Sequence, residues 1–209
     1  SRGLGDVYKR QGSGKTYTMM GADIQDDHTR GIIPRLTDQV FQGILHSPPT
    51  IEYTVKVSFM EIYMEKIRDL LAPDRINLPI QEDKSKGVRV KGLSEHYMSS
   101  PDEVYDVIRR GTGVRVVSAT RMNAESSRSH TIFTFTVQQR NTETGATKSG
   151  CLYLVDLAGS EKVDKTGASG QTLEEAKKIN RSLSALGMVI NALTDGKSAH
   201  VPYRDSKLT

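Results

Sequence analysis

The sequence predicts an α/β domain in which helices cover both faces of a central sheet. Apolar residues recur at helical spacing from Ile33 to Leu45 and from Leu173 to Leu193. Apolar and polar residues alternate with period two from Tyr53 to Ile62 and from Ile132 to Val137, which predicts strands. Because helical and strand segments are mixed along 209 residues, a single layered domain is favoured.

The first third of the chain predicts two helices and a strand. Lys15–Met20 is expected to open a helix that follows a glycine-rich loop and points its positive end at a bound anion. After a polar stretch at Gly21–Arg30, the apolar period from Ile33 to Leu45 predicts a second helix. Pro48 and Pro49 then break the chain before the long strand.

The middle of the chain predicts short strands and then a helix. Ile76–Met98 contains short apolar runs around a turn at Lys84–Gly87, which is either a protruding basic hairpin or a merely solvated one. Ser100–Glu103 predicts a helix start, because Ser can cap the Glu N–H, Glu can reach back, and Pro suits the first turn. This helix should bury Val104, Val107 and Ile108.

The last third predicts a hairpin and a long helix. Glu143–Gly145 should turn the Ile132–Val137 strand into a second strand at Ser149–Leu157. The final helix should carry one apolar stripe. Its members are Leu173, Ala176, Ile179, Leu183, Leu186, Ile190 and Leu193.

Charge and cysteine content set modest limits on function. Twenty-nine Lys and Arg against 25 Asp and Glu give a net charge of +4, which favours an acidic partner. A nucleic acid, an anionic membrane and an acidic protein surface all fit that charge. The single cysteine, Cys151, cannot form an internal disulfide, and neither a signal peptide nor a long apolar run is present, so a soluble protein in a reducing compartment is expected.

Residues Gly12–Thr16 match the second half of a phosphate-binding loop, G-x-x-x-x-G-K-[ST]. In such a loop glycines let backbone N–H groups approach the phosphates, Lys neutralises them, and the hydroxyl binds Mg²⁺. Lys9 stands where the pattern has its first glycine. The alternative interpretation of this string is a flexible turn.

The ten residues Ser1–Arg10 contain few large apolar side chains and do not resemble the buried strand that feeds a phosphate loop. We therefore predict that residues 1–11 are a leader foreign to the domain, and that the domain itself occupies residues 12–209. No helix cap or polar tail marks either end, which predicts a domain that is incomplete at both ends.

Two further strings carry chemistry. Asp156 ends an apolar strand, where a phosphate-loop enzyme places the carboxylate that holds Mg²⁺ through water, and Gly159 can offer an unhindered N–H to a γ-phosphate. The alternative for Asp156 is an ordinary strand-end turn residue. The string Asn123–His130 places several hydroxyl groups close to Arg128 in sequence. The alternative interpretation of this string is a polar loop before the next strand.

These strings together resemble the kinesin motor domain family. N-x-x-S-S-R-S-H at 123–130 and D-L-A-G-S-E at 156–161 resemble its switch I and switch II signatures, and H-V-P-Y-R-D-S-K-L-T at 200–209 resembles its microtubule-facing segment. Within the family, the sequence at Glu174–Asn180 and Leu183–Leu193 is most similar to conventional kinesin heavy chain. The resemblance implies a P-loop NTPase-type fold with a mostly mixed or parallel central sheet.

The resemblance also implies the residues of an ATP and Mg²⁺ site. It assigns Thr16, Ser127 and Asp156 to Mg²⁺, and a catalytic role to Ser126, Arg128, Gly159 and Glu161. Arg128 and Glu161 would form an ion pair that latches the two switches over ATP, since a guanidinium forked onto a carboxylate is strong only when both loops are aligned. The nucleotide-binding residues that it implies are Gly12, Ser13, Gly14, Lys15, Thr16, Tyr17 and Ser127.

For the microtubule, the resemblance implies a basic surface facing acidic tubulin, with no nucleic-acid or membrane partner. Each of these cations could instead be a solvated surface residue. They are Lys162, Lys165, Lys177, Lys178, Arg181, His200, Arg204 and Lys207. Dimerisation would occur through a stalk outside these residues, and the expected location is the cytoplasm, on the microtubule cytoskeleton.

Three functions are compatible with the sequence. The leading one is a microtubule-stimulated ATPase motor. A non-catalytic microtubule-binding relic would explain Lys9 in the phosphate loop. A generic P-loop NTPase acting on nucleic acid would explain the basic charge, but not the 123–130 and 203–209 strings.

Overall fold

The computed structural model of the chain describes residues 14–83, 87–122, 128–160, 171–198 and 200–209. The helices are α1 (Lys15–Met20), α2 (Ile32–Leu45), α3 (Pro101–Met122) and α4 (Gln171–Thr194), followed by a short 3₁₀ turn at Tyr203–Asp205. Within these described ranges no helix is both long and apolar enough to cross a membrane.

Within the described part of the chain, seven strands form two sheets. The strands are β1 (Ile51–Tyr63), β2 (Lys66–Asp69), β3 (Ile80–Asp83), β4 (Gly87–Val90), β5 (His96–Met98), β6 (His130–Asn141) and β7 (Thr147–Asp156). The larger sheet has the order β2-β1-β6-β7, with β5 also paired to β1, and β3 pairs with β4 separately. The helices and strands predicted from the sequence are therefore confirmed, and the basic turn at 84–86 lies outside the described residues.

The strand pairings are antiparallel wherever their direction can be followed. β1 runs antiparallel to both β2 and β5, with Met60 opposite Asp69 and Val55 opposite Met98. β6 and β7 are neighbours joined by the turn at 142–146, a connection too short for parallel strands. Just beyond β1 and β6, the Thr142 N–H donates to the Thr50 carbonyl at 2.8 Å, which sets these two strands antiparallel as well. The predicted mixed or parallel character of the sheet is thus not found among the described strands.

Helix α3 begins where the sequence predicts, with its capping contacts divided between two serines. The Ser100 hydroxyl accepts the Glu103 N–H at 3.3 Å, as expected for the capping residue. The Glu103 carboxylate reaches back one residue further than predicted and accepts both the N–H and the hydroxyl of Ser99, at 2.7 and 2.9 Å. The start of the helix is thus capped by hydrogen bonds between Glu103 and two consecutive serines.

The chain divides into two compact units, of which the first contains the described residues 14–59, 95–112 and 132–156. Its core is built from one side of α2, β1, α3 and β6. Phe59 and Phe133 pack edge to face with their ring centroids 5.5 Å apart. The other buried apolar side chains of this unit are Ile33, Phe41, Val55, Val57, Val104, Tyr105, Val107, Ile108, Ile132, Phe135 and Leu154.

A polar contact joins α2 to α3 within this first unit. Asp38 on α2 accepts hydrogen bonds from the Tyr105 hydroxyl and from the Arg30 guanidinium. Burial, reinforced by the neighbouring Asp38 carboxylate, raises the pKa of Tyr105, so this phenol remains a donor. The contact orients α3 on α2 without leaving a polar atom of Tyr105 unsatisfied.

The second unit contains the described residues 60–83, 87–94, 113–122, 128–131, 157–160, 171–198 and 200–209. Its buried apolar side chains are Met60, Ile62, Ile67, Leu70, Ala158, Ala185 and Val189. Asp69, which is fully buried, holds this unit's turns because its carboxylate accepts from the N–H groups of Leu71, Ala72 and Ser94 and from the Ser94 hydroxyl.

Helix α4 is confirmed, but its buried side is not the predicted apolar stripe. Ile190 and Leu193 of that stripe are about half exposed, at 50% and 57%. The fully buried positions are instead Glu175, Ser182, Ala185 and Val189. Two of these four side chains are polar, and they are buried because they have specific partners, described below.

Helix α3 approaches β1 so closely that glycine is required at position 111. A Cβ on Gly111 would lie 2.3 Å from Cδ1 of the buried Phe59 ring. We expect Gly111→Ala to lower the free energy of unfolding by about 1–3 kcal/mol, since the ring is held against Phe133 and cannot retreat.

The matched control for that substitution is Gly113→Ala in the same helix. A Cβ at Gly113 meets nothing within 4 Å, so the gain in helix propensity should stabilise the protein by up to about 1 kcal/mol. Urea unfolding of both variants measures the difference. Equal stability of the two variants would mean that the Phe59 contact does not constrain the helix.

Candidate functional site

The first unit brings the end of the predicted phosphate loop to the end of β7. Gly14 has φ 80°, in the left-handed region, and an added Cβ there would meet nothing within 4 Å among the described residues. Helix α1 begins at the next residue and contacts β7. Gly14 therefore provides the sharp turn into the helix and leaves its surroundings open for a ligand.

Thr16 and Asp156 meet as the sequence predicts for a Mg²⁺ site. The Thr16 hydroxyl donates to Oδ2 of Asp156 at 2.6 Å, although the two residues are 140 positions apart. Asp156 is 4% exposed and is the last residue of β7. A hydroxyl and a carboxylate side by side are the oxygen ligands that Mg²⁺ accepts in nucleotide sites, so these residues fit the ion.

The second unit holds the described part of the 123–130 string, where His130 joins two elements. Its Nδ1 accepts the Ala158 N–H at 3.0 Å, so Nε2 carries the proton and donates to the Ser182 hydroxyl at 2.8 Å. The Ser182 hydroxyl in turn donates a hydrogen bond to the carbonyl of Ile179 at 2.8 Å. His130 thus fixes the loop after β7 to α4, a role that the sequence analysis did not assign.

Arg128 forms an ion pair with a buried residue that the sequence analysis also missed. Its Nη1 lies 2.6 Å from Oε2 of Glu175, whose side chain is 3% exposed. The Tyr63 hydroxyl donates to the other carboxylate oxygen. Burial, together with this hydrogen bond, raises the pKa of Tyr63 to about 12, so the phenol stays protonated and the Glu175 charge is met by donors on both oxygens.

Arg115, which is buried, also contacts this segment. Arg115 Nη2 donates to the carbonyl and to the hydroxyl of Ser129, both at 3.2 Å. The Arg115 guanidinium also lies 3.6 Å from the buried Glu61 carboxylate, which Arg68 contacts as well. Residues 128–130 are therefore held by two arginine–carboxylate systems and one histidine.

These groups border a small cleft in the second unit. It lies between the β1–β2 turn and α4. Its lining residues are Ile62, Met64, Glu65, Arg128, His130, Lys178, Ile179 and Ser182.

The predicted microtubule-facing cations that the structure describes are all exposed. Lys177, Lys178 and Arg181 lie on α4, and Lys177 pairs with Glu174 at 3.0 Å. The segment with Arg204 and Lys207 contacts α4 at its 3₁₀ turn, and Arg204 pairs with Glu82 at 2.9 Å. His200 is exposed as well.

Several predicted site residues lie outside the described residues: Gly12, Ser13, Ser126, Ser127, Glu161, Lys162 and Lys165. The Arg128–Glu161 latch therefore stays a prediction, and the described partner of Arg128 is Glu175. Of the remaining nucleotide-binding candidates, Lys15 and Tyr17 are exposed at the start of α1. Gly159 is buried just beyond Ala158.

The Arg128–Glu175 pair should contribute to stability. We expect Arg128→Ala to lower the free energy of unfolding by roughly 3 kcal/mol, because the buried Glu175 carboxylate would keep, of its partners among the described residues, only the Tyr63 hydroxyl. Lys177→Ala is the control, since it breaks an exposed pair whose side chains are both 58% accessible and should cost less than about 0.5 kcal/mol. Chemical denaturation measures both, and an Arg128→Ala variant as stable as the control would contradict the assignment.

Comparisons with known proteins agree with this geometry. A model of the kinesin motor domain family matches residues 7–209. The kinesin heavy chains of Syncephalastrum racemosum and Gibberella moniliformis are 72% and 70% identical over 203 residues, which is 97% of this chain and 22% of each relative. The chain thus spans about a fifth of the length of these relatives.

A solved structure of a fast kinesin has the same fold. It superimposes with a TM-score of 0.89 at 70% identity, covering 94% of this chain and 56% of the other. The predicted leader at 1–11 overlaps the start of the family match and lies outside the described residues. The P-loop, switch and C-terminal strings, the Thr16–Asp156 contact and this match over nearly the whole chain together mean that the chain belongs to the kinesin motor domain family.

Proposed function

We propose that this chain is the nucleotide-binding and track-binding part of a microtubule-stimulated motor ATPase. The observation that carries the proposal is the 2.6 Å hydrogen bond between the Thr16 hydroxyl and the Asp156 carboxylate. It joins the phosphate loop to the strand end at the pair of groups that a P-loop ATPase uses for its metal ion.

In this proposal ATP binds at the phosphate loop. Lys15 neutralises phosphate oxygens, and glycines at 12 and 14 allow backbone N–H groups to approach them. Thr16 and Ser127 would bind Mg²⁺ directly and Asp156 would hold it through water; the bound ion would supply charge stabilisation to the phosphates. Tyr17 and Ser13 complete the nucleotide-binding set.

The switch residues then respond to the γ-phosphate. Gly159 offers its backbone N–H to that group, and Ser126 and Glu161 position the attacking water and accept its proton. Arg128 changes partner, from Glu175 in the described arrangement to Glu161 when both switches close. Phosphoryl transfer depends mainly on placement and charge stabilisation, so closure of these loops couples hydrolysis to movement.

The partner that fits the exposed cations is the acidic surface of a microtubule. Lys177, Lys178 and Arg181 on α4 are exposed, as are Arg204 and Lys207 on the neighbouring segment. Lys162, Lys165 and His200 belong to the same proposed surface. A protein with this activity works in the cytoplasm, on the microtubule cytoskeleton.

A non-catalytic microtubule-binding protein is the second candidate. The observation that favours it is Lys9, which replaces the first glycine of the phosphate-loop pattern. A side chain in a left-handed backbone position costs roughly 1–2 kcal/mol, which would weaken the loop.

The first experiment measures ATP turnover of the full-length protein with and without microtubules. The motor proposal expects stimulated turnover, and microtubule binding that weakens as salt shortens the Debye length below about 8 Å. Binding without turnover would support the non-catalytic alternative. Turnover stimulated by nucleic acid, and not by microtubules, would indicate the generic NTPase.

The second experiment tests the switch latch with Glu161→Ala. We expect this variant to bind ATP normally and to lose at least about 100-fold in turnover, since both the latch and the proton acceptor are removed. Glu143→Ala, in the exposed β6–β7 turn, removes the same side chain away from the site and should retain wild-type turnover. Normal steady-state turnover by Glu161→Ala would contradict the latch.

A further inference from the structure

The turn between β1 and β2 holds two large side chains in a strained backbone conformation. Met64 and Glu65 have φ angles of 53° and 61°, both in the left-handed region. They join Tyr63 to Lys66, which are paired across the hairpin. Such turns favour Asn and Gly, and other residues there cost roughly 1–2 kcal/mol each. This strain indicates that one of the two side chains performs a task that Asn or Gly could not.

Glu65 uses both oxygens of its carboxylate on the C-terminal segment of the second unit. Oε1 accepts the Ser206 hydroxyl at 2.8 Å, and Oε2 accepts the Lys207 backbone N–H at 2.8 Å. Ser206 is only 7% exposed, and its hydroxyl also accepts the Leu208 N–H at 3.1 Å. One carboxylate thus fixes two consecutive residues in a stretch with little regular structure.

One of the two fixed residues, Lys207, is a candidate track-binding cation, and a second, Arg204, lies close to it in sequence. Lys207 is exposed while its own backbone N–H is held by Glu65, and Arg204 lies in the 3₁₀ turn just before. The turn contacts α4, where Lys177, Lys178 and Arg181 lie. An ammonium group on a fixed backbone loses less conformational freedom on binding than one on a mobile loop.

We propose that Glu65 is a positioning residue that orders the Tyr203–Thr209 segment for binding to the acidic microtubule surface. This inference rests on the proposed function. Glu65 itself carries the wrong charge to attract tubulin, so its effect on binding must come from the two hydrogen bonds rather than from direct attraction.

Loss of the Glu65 charge and loss of its hydrogen bonds should change binding in opposite directions, so a charge-matched test can separate the two effects. Glu65→Gln and Glu82→Gln each remove one negative charge near the basic segment. Glu82 pairs with Arg204 at the surface, with side chains 67% and 91% exposed, and this contact orders no backbone. If only charge matters, both variants bind microtubules at least as tightly as wild type. If Glu65 positions the segment, Glu65→Gln weakens binding while Glu82→Gln does not.

The expected result for Glu65→Gln in the full-length protein is a rise of roughly tenfold in the microtubule concentration that half-saturates the ATPase, the effect of one lost charge-assisted hydrogen bond. Turnover at saturating microtubules should change much less, because the nucleotide residues are untouched. The Lys207 amide should also exchange its hydrogen faster.

Glu65→Gly is a second variant whose fold should be retained, because glycine accepts φ 61° without strain. It also removes the carboxylate completely. It should weaken binding at least as much as Glu65→Gln. Wild-type affinity in both Glu65 variants would overturn the inference and leave the proposed function standing. A wild-type protein that does not bind microtubules would overturn both.

Discussion

Burial of charged side chains is the constraint on which the second unit depends. Glu61, Asp69 and Glu175 are each at most 5% exposed, and a carboxylate in such a place destabilises the fold unless donors meet it. The donors come both from neighbouring residues and from distant elements: arginines for Glu61, backbone and serine groups for Asp69, Tyr63 and Arg128 for Glu175. Removing any one set would leave a charge without compensation, so these contacts specify one arrangement of β1, β2, α3 and α4. Residues 128–130, the described end of the string that resembles the family's switch I, are built into that arrangement through Arg128, Ser129 and His130.

This organisation has a consequence for switching. If Arg128 is to leave Glu175 for another carboxylate, the buried charge of Glu175 must still be compensated in the second state. The Tyr63 phenol, whose pKa is raised to about 12, continues to donate at any physiological pH and lowers the cost of that exchange. In the proposed exchange Glu175 would keep one of its two described donors after Arg128 leaves, so the second state would cost less than a state with no donor at all.

Much of the fold could be predicted from the sequence because hydrophobic period follows secondary structure closely in α2 and β1. The Thr16–Asp156 contact was also accessible, since each residue belongs to a string with a defined role. The buried side of α4 could not be predicted from the sequence. Apolar spacing favours Leu and Ile positions, whereas Glu175 and Ser182 are buried because they bind partners distant in sequence. The hairpin of β6 and β7 could be predicted from its short turn, but the direction of the other pairings could not, because strand period does not report the direction of the neighbouring strand. The roles of His130 and Glu175 depend on tertiary contacts, and a spacing of seven between Glu175 and Ser182 was the only sequence signal that they share a helix face.

The hairpin between β1 and β2 illustrates how natural sequences retain locally unfavourable choices. A consensus or idealised design would place Asn-Gly at positions 64 and 65, and the isolated hairpin would become more stable. The same change would delete the carboxylate that binds Ser206 and Lys207. Thermostabilised versions of this domain obtained by idealising turns should therefore be screened for lost microtubule affinity as well as for melting temperature. At positions 64 and 65, a change that raises stability would lower the proposed binding.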